Sequence, residues 1–541
     1  MHHSVFDRKV ITAHLENETD WDLIIIGGGA TGLGIAMDGV TRGYKTLLLE
    51  QSDFAKGTSS RSTKLVHGGV RYLAQGNIDL VREALYERGL LLKNAPHLTK
   101  NQSFIIPSYS WWNAIFYTTG LKVYDLLSGK LSLGNSSFLT KSKTLQRIET
   151  IRRDELKGGV EYQDGQFDDA RLAVNVAQTC LEKGATLLNY FKVTDLLKKD
   201  NGSIRGVAVT DCETDRTYTL NGKVIINATG VFADDILKLD NPKGKNMIRP
   251  SQGIHLVLDS TFLPGKDAIM IPKTDDGRVL FLVPWHGKVV VGTTDTLIDE
   301  HSLEPRALEK EIDFILSNAN AYLTKEVTKK DVLSIFAGLR PLAAPADKTD
   351  KTKEISRSHK IVTSNSGLIS VIGGKWTTFR RMAQDTIDNA IQLKMLPKKH
   401  CVTQELRIHG AKESNDRSDH LYVYGSDQEG IHELIKEKPK LGKRIHSEAV
   451  FLKAEVVWAA RYEMARTVED VLARRVRLLF LNARVAIESA RVVAAILAEE
   501  LGKDGDWELE QVRHFTGIAS HYILDETDLP KGSPNKTKAT T

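Results

Sequence analysis

Gly27, Gly29 and Gly32, with Glu50 23 residues beyond the first, form the pattern in this chain whose spacing most directly implies chemistry. The G-x-G-x-x-G spacing suits a pyrophosphate. Its first glycine makes a tight turn, the second lets backbone approach the phosphates, and the third lets a helix pack closely on a strand. A helix opening at Ala30 and Thr31 presents free N–H groups and the positive end of its dipole to the anion. Glu50 can accept hydrogen bonds from both ribose hydroxyls and would repel a 2′-phosphate, which argues for a dinucleotide other than NADP.

The surrounding residues supply the elements this chemistry needs. An apolar run at 23–26 precedes the glycines, Leu33, Ala36, Met37 and Val40 follow at helical spacing, and a second apolar run at 46–49 ends in Glu50. Strand, helix, strand and acid are in register. Beyond Glu50, residues 57–73 carry the hydroxyls of Thr58, Ser59 and Ser60, then Lys64, His67 and the pair Gly68–Gly69. Such a run either binds further pyrophosphate oxygens and passes close to a flat ring, or is a polar surface loop. Residues 223–230 read as a buried strand ending in the small residues Ala228, Thr229 and Gly230. Residues 367–380 repeat the strand, glycine-pair, helix design at Gly373–Gly374. A long cofactor held at one end early in the chain and at the other end late suits both segments.

At 541 residues the chain exceeds what one hydrophobic core supports, so two or three domains are expected. Its 41% hydrophobic and 26% charged residues are ordinary for a globular protein. A net charge of +5, with both signs mixed along the chain, is too mild for nucleic acid and compatible with an anionic membrane surface. Cys180, Cys212 and Cys401 are scattered and odd in number, which fits a reducing cytosol and no metal site. The first residues lack the apolar core of a signal peptide, and no run approaches the roughly 18 apolar residues of a membrane span.

Longer motifs then make the reading specific. Thr58-Ser-Ser-Arg-Ser-Thr-Lys-Leu-Val-His-Gly-Gly-Val-Arg-Tyr-Leu, Asp168-Asp-Ala-Arg-Leu, Asn227-Ala-Thr-Gly, Val291-Gly-Thr-Thr-Asp, Gly338-Leu-Arg-Pro-Leu and Gly373-Gly-Lys-Trp-Thr-Thr-Phe-Arg occur in this order. With the opening fingerprint they resemble the FAD-dependent glycerol-3-phosphate dehydrogenases, from about residue 21 to about 525. Arg61 and Thr63 depart from the smaller or serine-like residues expected at their positions. The resemblance implies an α/β fold, α+β overall: a glutathione-reductase-type Rossmann FAD domain, a β-rich substrate-capping domain and a C-terminal helical domain. The FAD domain would comprise about 21–70, 155–240 and 360–396, interleaved with the capping domain at about 71–154 and 241–359. An N-terminal extension (1–20), a helical domain (397–525) and a disordered tail (526–541) complete the division. FAD would then be held by Gly27, Gly29, Ala30, Thr31, Gly32, Glu50, Thr58, Ser59, Ser60, Lys64, His67, Gly68, Gly69, Ala228, Thr229, Gly230, Gly373, Gly374 and Thr377. His67 would act as a non-covalent contact.

The implied reaction takes hydride from carbon 2 of sn-glycerol 3-phosphate to flavin N5 and gives the hydroxyl proton to a base. Forked, permanently charged guanidiniums suit the phosphate. Arg340 lies in a tight apolar setting where an unpaired cation is costly, so it faces either an anion or a structural partner. Arg71 and Arg357 are further candidates for the phosphate, with Tyr72, Lys375 and Thr378 near them in motif terms. His255, inside an apolar strand, is either a core histidine or a base titrating near neutrality. The resemblance favours the base, with Lys375 as the next candidate. It also implies electron transfer to membrane quinone, a peripheral position on the inner face of the cytoplasmic membrane, and the option of a homodimer. An oxidase sending electrons to oxygen and forming peroxide would share nearly all of these motifs.

Several coarser elements are also legible. Short strands are expected at 254–258, 268–271, 279–283 and 289–292, a helix over about 305–322, and long amphipathic helices at 448–464 and 483–501. Residues 111–124 hold Trp111, Trp112, Phe116, Tyr117 and Tyr124 close to lysine. They are either a bilayer-interface segment or a helix packed into the capping domain.

Overall fold

The computed structural model describes residues 6–73, 76–343, 359–413 and 416–524, and only the backbone of Arg71 and Tyr72. Arg357 and the tail from 526 lie outside the described residues.

Apolar runs interrupted by glycine turns build the first sheet. Strand Asp20–Ile26 pairs in parallel with Thr46–Leu49 on one side and Thr217–Asn227 on the other. Leu23, Ile24 and Ile25 are wholly buried, as befits a parallel sheet covered on both faces. Thr186–Leu188 and Ile369–Ile372 extend the parallel part. Lys360–Thr363 and the hairpin Phe191–Lys198 with Ile204–Asp211 add antiparallel strands. The helical spacing after Gly32 becomes helix Ala30–Thr41, with Leu33, Ala36, Met37 and Val40 all buried. It packs between helices Asp169–Glu182 and Phe379–Gln392. Glycines 27 to 32 are thereby fixed at the carboxyl edge of the sheet, where α/β folds bind ligands.

The second sheet is mostly antiparallel. Its long strand Ile248–Asp259 carries His255 and lies between Lys288–Gly292 and Val332–Ala343. His255 stands opposite Gly292 and Phe336, and Ser251 opposite Arg340. Ala268–Ile271, Leu280–Trp285 and Lys288–Gly292 fall where short strands were expected. Gly158–Phe167 lies inside the stretch expected for the FAD domain, yet it pairs along its whole length with Thr99–Ser108 in the second sheet. The N-terminal stretch is also more integrated than an extension. Helix Arg8–Asn17 buries Ile11 and Leu15 in the core of the first sheet, and Arg8 donates to the Asn189 carbonyl at 2.7 Å.

A helical region follows, including Lys453–Tyr462, a π-helical turn Asp470–Arg475, Ala483–Leu501 and Gly505–Ala519. Ala483–Leu501 matches its expected bounds, because Asn482 caps the Val485 N–H and Gly502 ends the helix at φ 65°. The helix expected over 448–464 is shorter: its first turn forms after Leu452, whose N–H is taken by the Glu455 carboxylate. The helix expected over 305–322 is likewise trimmed to Glu309–Asn320. Residues 111–124 lie in helix Trp111–Ser128, which turns Ala114, Leu121 and Tyr124 inward. On its outer face Trp111 is 58% exposed, Trp112 76%, Ile115 61%, Phe116 56% and Leu126 80%. Among the described residues no helix is long and apolar enough to cross a membrane.

Candidate active site

A cleft of about 620 Å³ opens at the carboxyl edge of the first sheet. Gly27, Gly29, Ala30, Thr31, Glu50, Thr58, Ser59, Ala228, Thr229, Gly230, Gly373, Gly374 and Lys375 line it. Segments some 340 residues apart therefore converge on one cavity. Gly27 has φ 110°, and a Cβ there would sit 2.7 Å from the Ala228 carbonyl oxygen. A Cβ on Gly32 would lie 1.8 Å from the Gly27 carbonyl oxygen, so this glycine serves helix packing rather than the cleft wall. At Gly29 the nearest atom is Ser59 Oγ at 3.2 Å, so a side chain there would fill the cleft. These three environments are what a pyrophosphate loop requires.

Glu50 is held at the rim by two backbone donors, Gly28 N–H at 2.6 Å and Ser52 N–H at 2.8 Å. Burial nevertheless raises its pKa above the ordinary glutamate range. Each oxygen retains a lone pair for a ribose hydroxyl. Ser59 Oγ accepts from Ala30 N–H at 2.9 Å, and Trp376 Nε1 donates to the Ser59 carbonyl at 2.8 Å. That indole closes the early loop onto the late glycine pair. The volume, the bare Gly29 wall and the placement of Glu50 fit an FAD.

Besides Gly32 and His255, five expected cofactor or substrate contacts with described side chains line neither this cleft nor the smaller cavity described below. Ser60 is buried, and its carbonyl accepts from Lys64 Nζ and Arg477 Nη2. The Lys64 ammonium also turns inward, donating to Asp169 Oδ2 at 2.7 Å among the rings of Trp285, Phe336 and Phe480. Burial brings its pKa down to about 7 despite Asp169. Gly68 does not make room for a ring: a Cβ there would meet Leu85 Cδ2 at 2.3 Å and the Tyr124 hydroxyl at 2.4 Å. Thr377 and Thr378 are buried in the single turn Trp376–Thr378, where the Thr378 hydroxyl donates to the Lys375 carbonyl at 3.3 Å.

The loop that frames the cleft is braced from the helical region, a contribution the sequence motifs did not reveal. Asp53 Oδ2 accepts from Arg474 Nε at 2.5 Å and Arg475 Nη1 at 2.7 Å, while Oδ1 accepts from Arg475 Nη2 at 2.9 Å. Lys56, in the cleft wall, pairs with Glu469 at 2.7 Å. Arg474 in turn contacts Glu469 and Asp470.

A second cavity of about 190 Å³ lies on the side of the second sheet. Thr63, His67, Gly69, Arg278, Thr293, Asp295 and Arg340 are in its wall, with Phe104, Tyr162 and Phe281 among the apolar members. Strand Val332–Ala343 joins the two spaces: Arg340 faces the smaller one and Pro341 the larger. Arg340 Nη2 donates to Thr293 Oγ1 at 3.1 Å and the Thr294 carbonyl at 3.0 Å, while Nη1 lies 3.5 Å from Asp295. Arg278, not singled out by the sequence motifs, donates to the Asp295 carbonyl at 2.5 Å. It sits just after an Asp-Gly turn at the mouth of a strand, and only the folded sheet reveals that it joins Arg340. Lys375 lines the larger cleft and not this cavity. Arg71 and Tyr72 lie in helix Val70–Leu73, beside the cavity residues Gly69 and Val70.

His255 is buried behind this cavity. Its ring stacks on Phe336 at 4.8 Å, and Nε2 lies 2.9 Å from Thr63 Oγ1. The expectation that it titrates near neutrality does not hold. Burial first, then the positive charges of Lys64 and Arg340, keep its pKa well below 6.5, so the imidazole is neutral throughout the physiological range.

Comparison with known proteins agrees with this geometry. A family model described as FAD dependent oxidoreductase matches residues 22–380, and one described as the C-terminal domain of alpha-glycerophosphate oxidase matches residues 366–508. The fold and its cleft thus define an FAD-dependent oxidoreductase. The chain is 39% identical to the probable mitochondrial glycerol-3-phosphate dehydrogenase of Caenorhabditis elegans, over 98% of this chain and 78% of that protein. It is also 39% identical to the mitochondrial glycerol-3-phosphate dehydrogenase of Homo sapiens, over 92% and 73%. The glycerol-3-phosphate dehydrogenase of Bacillus halodurans, solved with FAD, superposes with a TM-score of 0.78 at 30% identity, covering 97% of this chain and 99% of that one. This chain belongs to the FAD-dependent glycerol-3-phosphate dehydrogenase family.

Proposed function

We propose that this chain oxidises sn-glycerol 3-phosphate to dihydroxyacetone phosphate and delivers the electrons to membrane quinone. The observation that carries the reading is the pairing of two arginines, Arg278 and Arg340, in a cavity of about 190 Å³ that shares a strand with the FAD cleft. The space suits a small phosphorylated triol and is below the roughly 300 Å³ at which pockets for drug-sized ligands begin. Bound FAD supplies the acceptor for the hydride of carbon 2. The guanidiniums hold the phosphate dianion and so fix the triol, while the neutral His255 imidazole is available for the hydroxyl proton. Anaerobic addition of sn-glycerol 3-phosphate to FAD-loaded protein should bleach the flavin, and an unchanged flavin spectrum would refute the reading.

The outer face of helix Trp111–Ser128 supports the membrane part. Two tryptophans, Ile115, Phe116 and Leu126 face outward together with Lys122. This composition suits the headgroup boundary of an anionic leaflet. On the inner side of the same helix, the Tyr124 hydroxyl donates to Asp164 in the wall of the smaller cavity at 2.8 Å, so the lipid-facing side lies one helix away from the substrate. The match of residues 366–508 to an oxidase C-terminal domain favours one alternative, with oxygen as acceptor. Re-oxidation of the bleached enzyme distinguishes the two. Fast colour return with a soluble quinone and slow return in air supports the quinone, whereas fast return in air with stoichiometric peroxide supports the oxidase.

A further inference from the structure

Thr63 stands between His255 and the smaller cavity. Thr63 belongs to the cavity wall, and His255 does not. Phe336 covers one ring face of His255 at an interplanar angle of 17°, and the ring edge abuts Gly292, where a Cβ would lie 2.3 Å from Cδ2. Nδ1 is buried with no hydrogen-bond partner among the described residues. Among the described residues the one polar contact of the ring is therefore the 2.9 Å approach of Nε2 to Thr63 Oγ1, between residues 192 positions apart in the chain.

We propose that Thr63 relays the substrate proton to His255. The inference rests on the reading of the cavity as the sn-glycerol 3-phosphate site. As the carbon 2 hydroxyl loses its proton, Thr63 Oγ1 accepts it and passes its own proton to Nε2. One O–H bond of the alcohol breaks, one O–H bond at Thr63 is replaced by another, and one N–H bond forms. Thr63 ends neutral and His255 ends as imidazolium. A hydroxyl can do this because it accepts and donates at the same atom. The transfer uses the tautomer with its proton on Nδ1. That proton has no partner before or after the step, so the step itself adds no new unpaired group. Burial first, then Lys64 and Arg340, disfavour the imidazolium. That is tolerable here, since an alcohol losing hydride from the same carbon becomes a far stronger acid than imidazolium. It also favours return of the proton for the next turnover.

The test is anaerobic stopped-flow reduction of the FAD-loaded wild type, Thr63→Val, Thr63→Ser, His255→Ala and the Thr63→Val, His255→Ala double variant. Bleaching of the wild type by sn-glycerol 3-phosphate establishes the site; its failure would sink the functional reading, whatever the variants do. Given bleaching, Thr63→Val should slow the limiting rate by about 100-fold or more, within the range for a positioned acid or base. FAD content, melting temperature and the substrate concentration for half-maximal rate should stay within a few-fold of wild type. Thr63→Ser should recover most of the rate, and the double variant should be no slower than the slower single one. In mixtures of H₂O and D₂O the wild-type rate should fall along a bowed curve, as two moving protons require. A Thr63→Val rate within a few-fold of wild type would overturn the relay. So would a Thr63→Ser rate as slow as Thr63→Val, effects that multiply in the double variant, or a straight isotope plot. Loss of FAD from Thr63→Val would make Thr63 a support of the cofactor loop, and overturns the relay as well.

Discussion

Replacing Asp53 by Asn should loosen the cofactor cleft although Asp53 does not line it. The carboxylate is fully buried and shared between Arg474 and Arg475. Around it, the cations Lys56, Arg171, Arg474 and Arg475 are matched by Asp53, Glu463, Glu469 and Asp470. The amide keeps the shape but removes one of the four negative charges, leaving Arg475 with Glu463 at 3.6 Å as its remaining carboxylate. Breaking one side of a buried ion pair costs about 3–5 kcal/mol. Part of that cost falls on the loop carrying Gln51, Ala55, Lys56 and Gly57 in the cleft wall. FAD affinity should drop at least about tenfold, equivalent to about 1.4 kcal/mol. Titration of apoprotein with FAD by flavin fluorescence, paired with melting curves of apo and loaded protein, measures both effects. A variant that binds FAD as wild type does and melts at the same temperature would refute the idea that the helical region braces the cofactor loop.

Three further outcomes follow from the same geometry. Gly29→Val places an isopropyl group in the open wall of the cleft and should give colourless protein with an otherwise intact fold, read as the flavin-to-protein absorbance ratio beside circular dichroism. A double variant Trp112→Glu, Leu126→Glu puts two charges on the outer face of helix Trp111–Ser128 and should reduce co-sedimentation with anionic phospholipid vesicles at least about tenfold, leaving anaerobic flavin reduction unchanged. His409 lies 2.7 Å from both Asp427 and Glu182; burial alone would lower its pKa, but the two carboxylates outweigh burial and hold it at about 9. Against an unfolded value of 6.5, its stabilisation is fully present below pH 6.5 and is lost as pH rises through 9. His409→Gln should therefore cost about 3 kcal/mol in denaturant titrations at pH 6 and little at pH 10.

Features set by local sequence were readable, and features set by distant pairing were not. Leu33, Ala36, Met37 and Val40 point to their helix because periodicity is a property of neighbours, and Asn482 and Gly502 mark the ends of another for the same reason. Gly27 and Gly32 behave as their spacing implies, since each meets atoms of its own strand–turn–helix unit or of the segment that ends the adjacent strand, and Gly29 stays open but for Ser59 Oγ. Lys64 and Gly68 sit in a motif whose composition suggests cofactor contact. Their actual partners are Asp169, Leu85 and Tyr124, which nothing in the motif specifies. His255 was visible as a histidine in an apolar strand, but its pKa is set by a burial and two cations that arrive from other segments. Arg278 and the arginines of the turn Asp470–Arg475 were missed for the same reason: a cation has no visible partner until the fold supplies one.

The central claim is that a phosphate clamp beside the flavin selects the substrate, and the most direct measurement is anaerobic flavin reduction by sn-glycerol 3-phosphate against glycerol. Arg278 and Arg340 each offer charge-assisted hydrogen bonds of about 1.5–3 kcal/mol, roughly 3–6 kcal/mol together. Reduction efficiency should therefore be about 100- to 10,000-fold higher for the phosphorylated triol, and the gap should shrink to about 10- to 150-fold in Arg340→Ala, which keeps Arg278. Equal reduction by the two compounds in wild type, or an undiminished preference in Arg340→Ala, would contradict the claim.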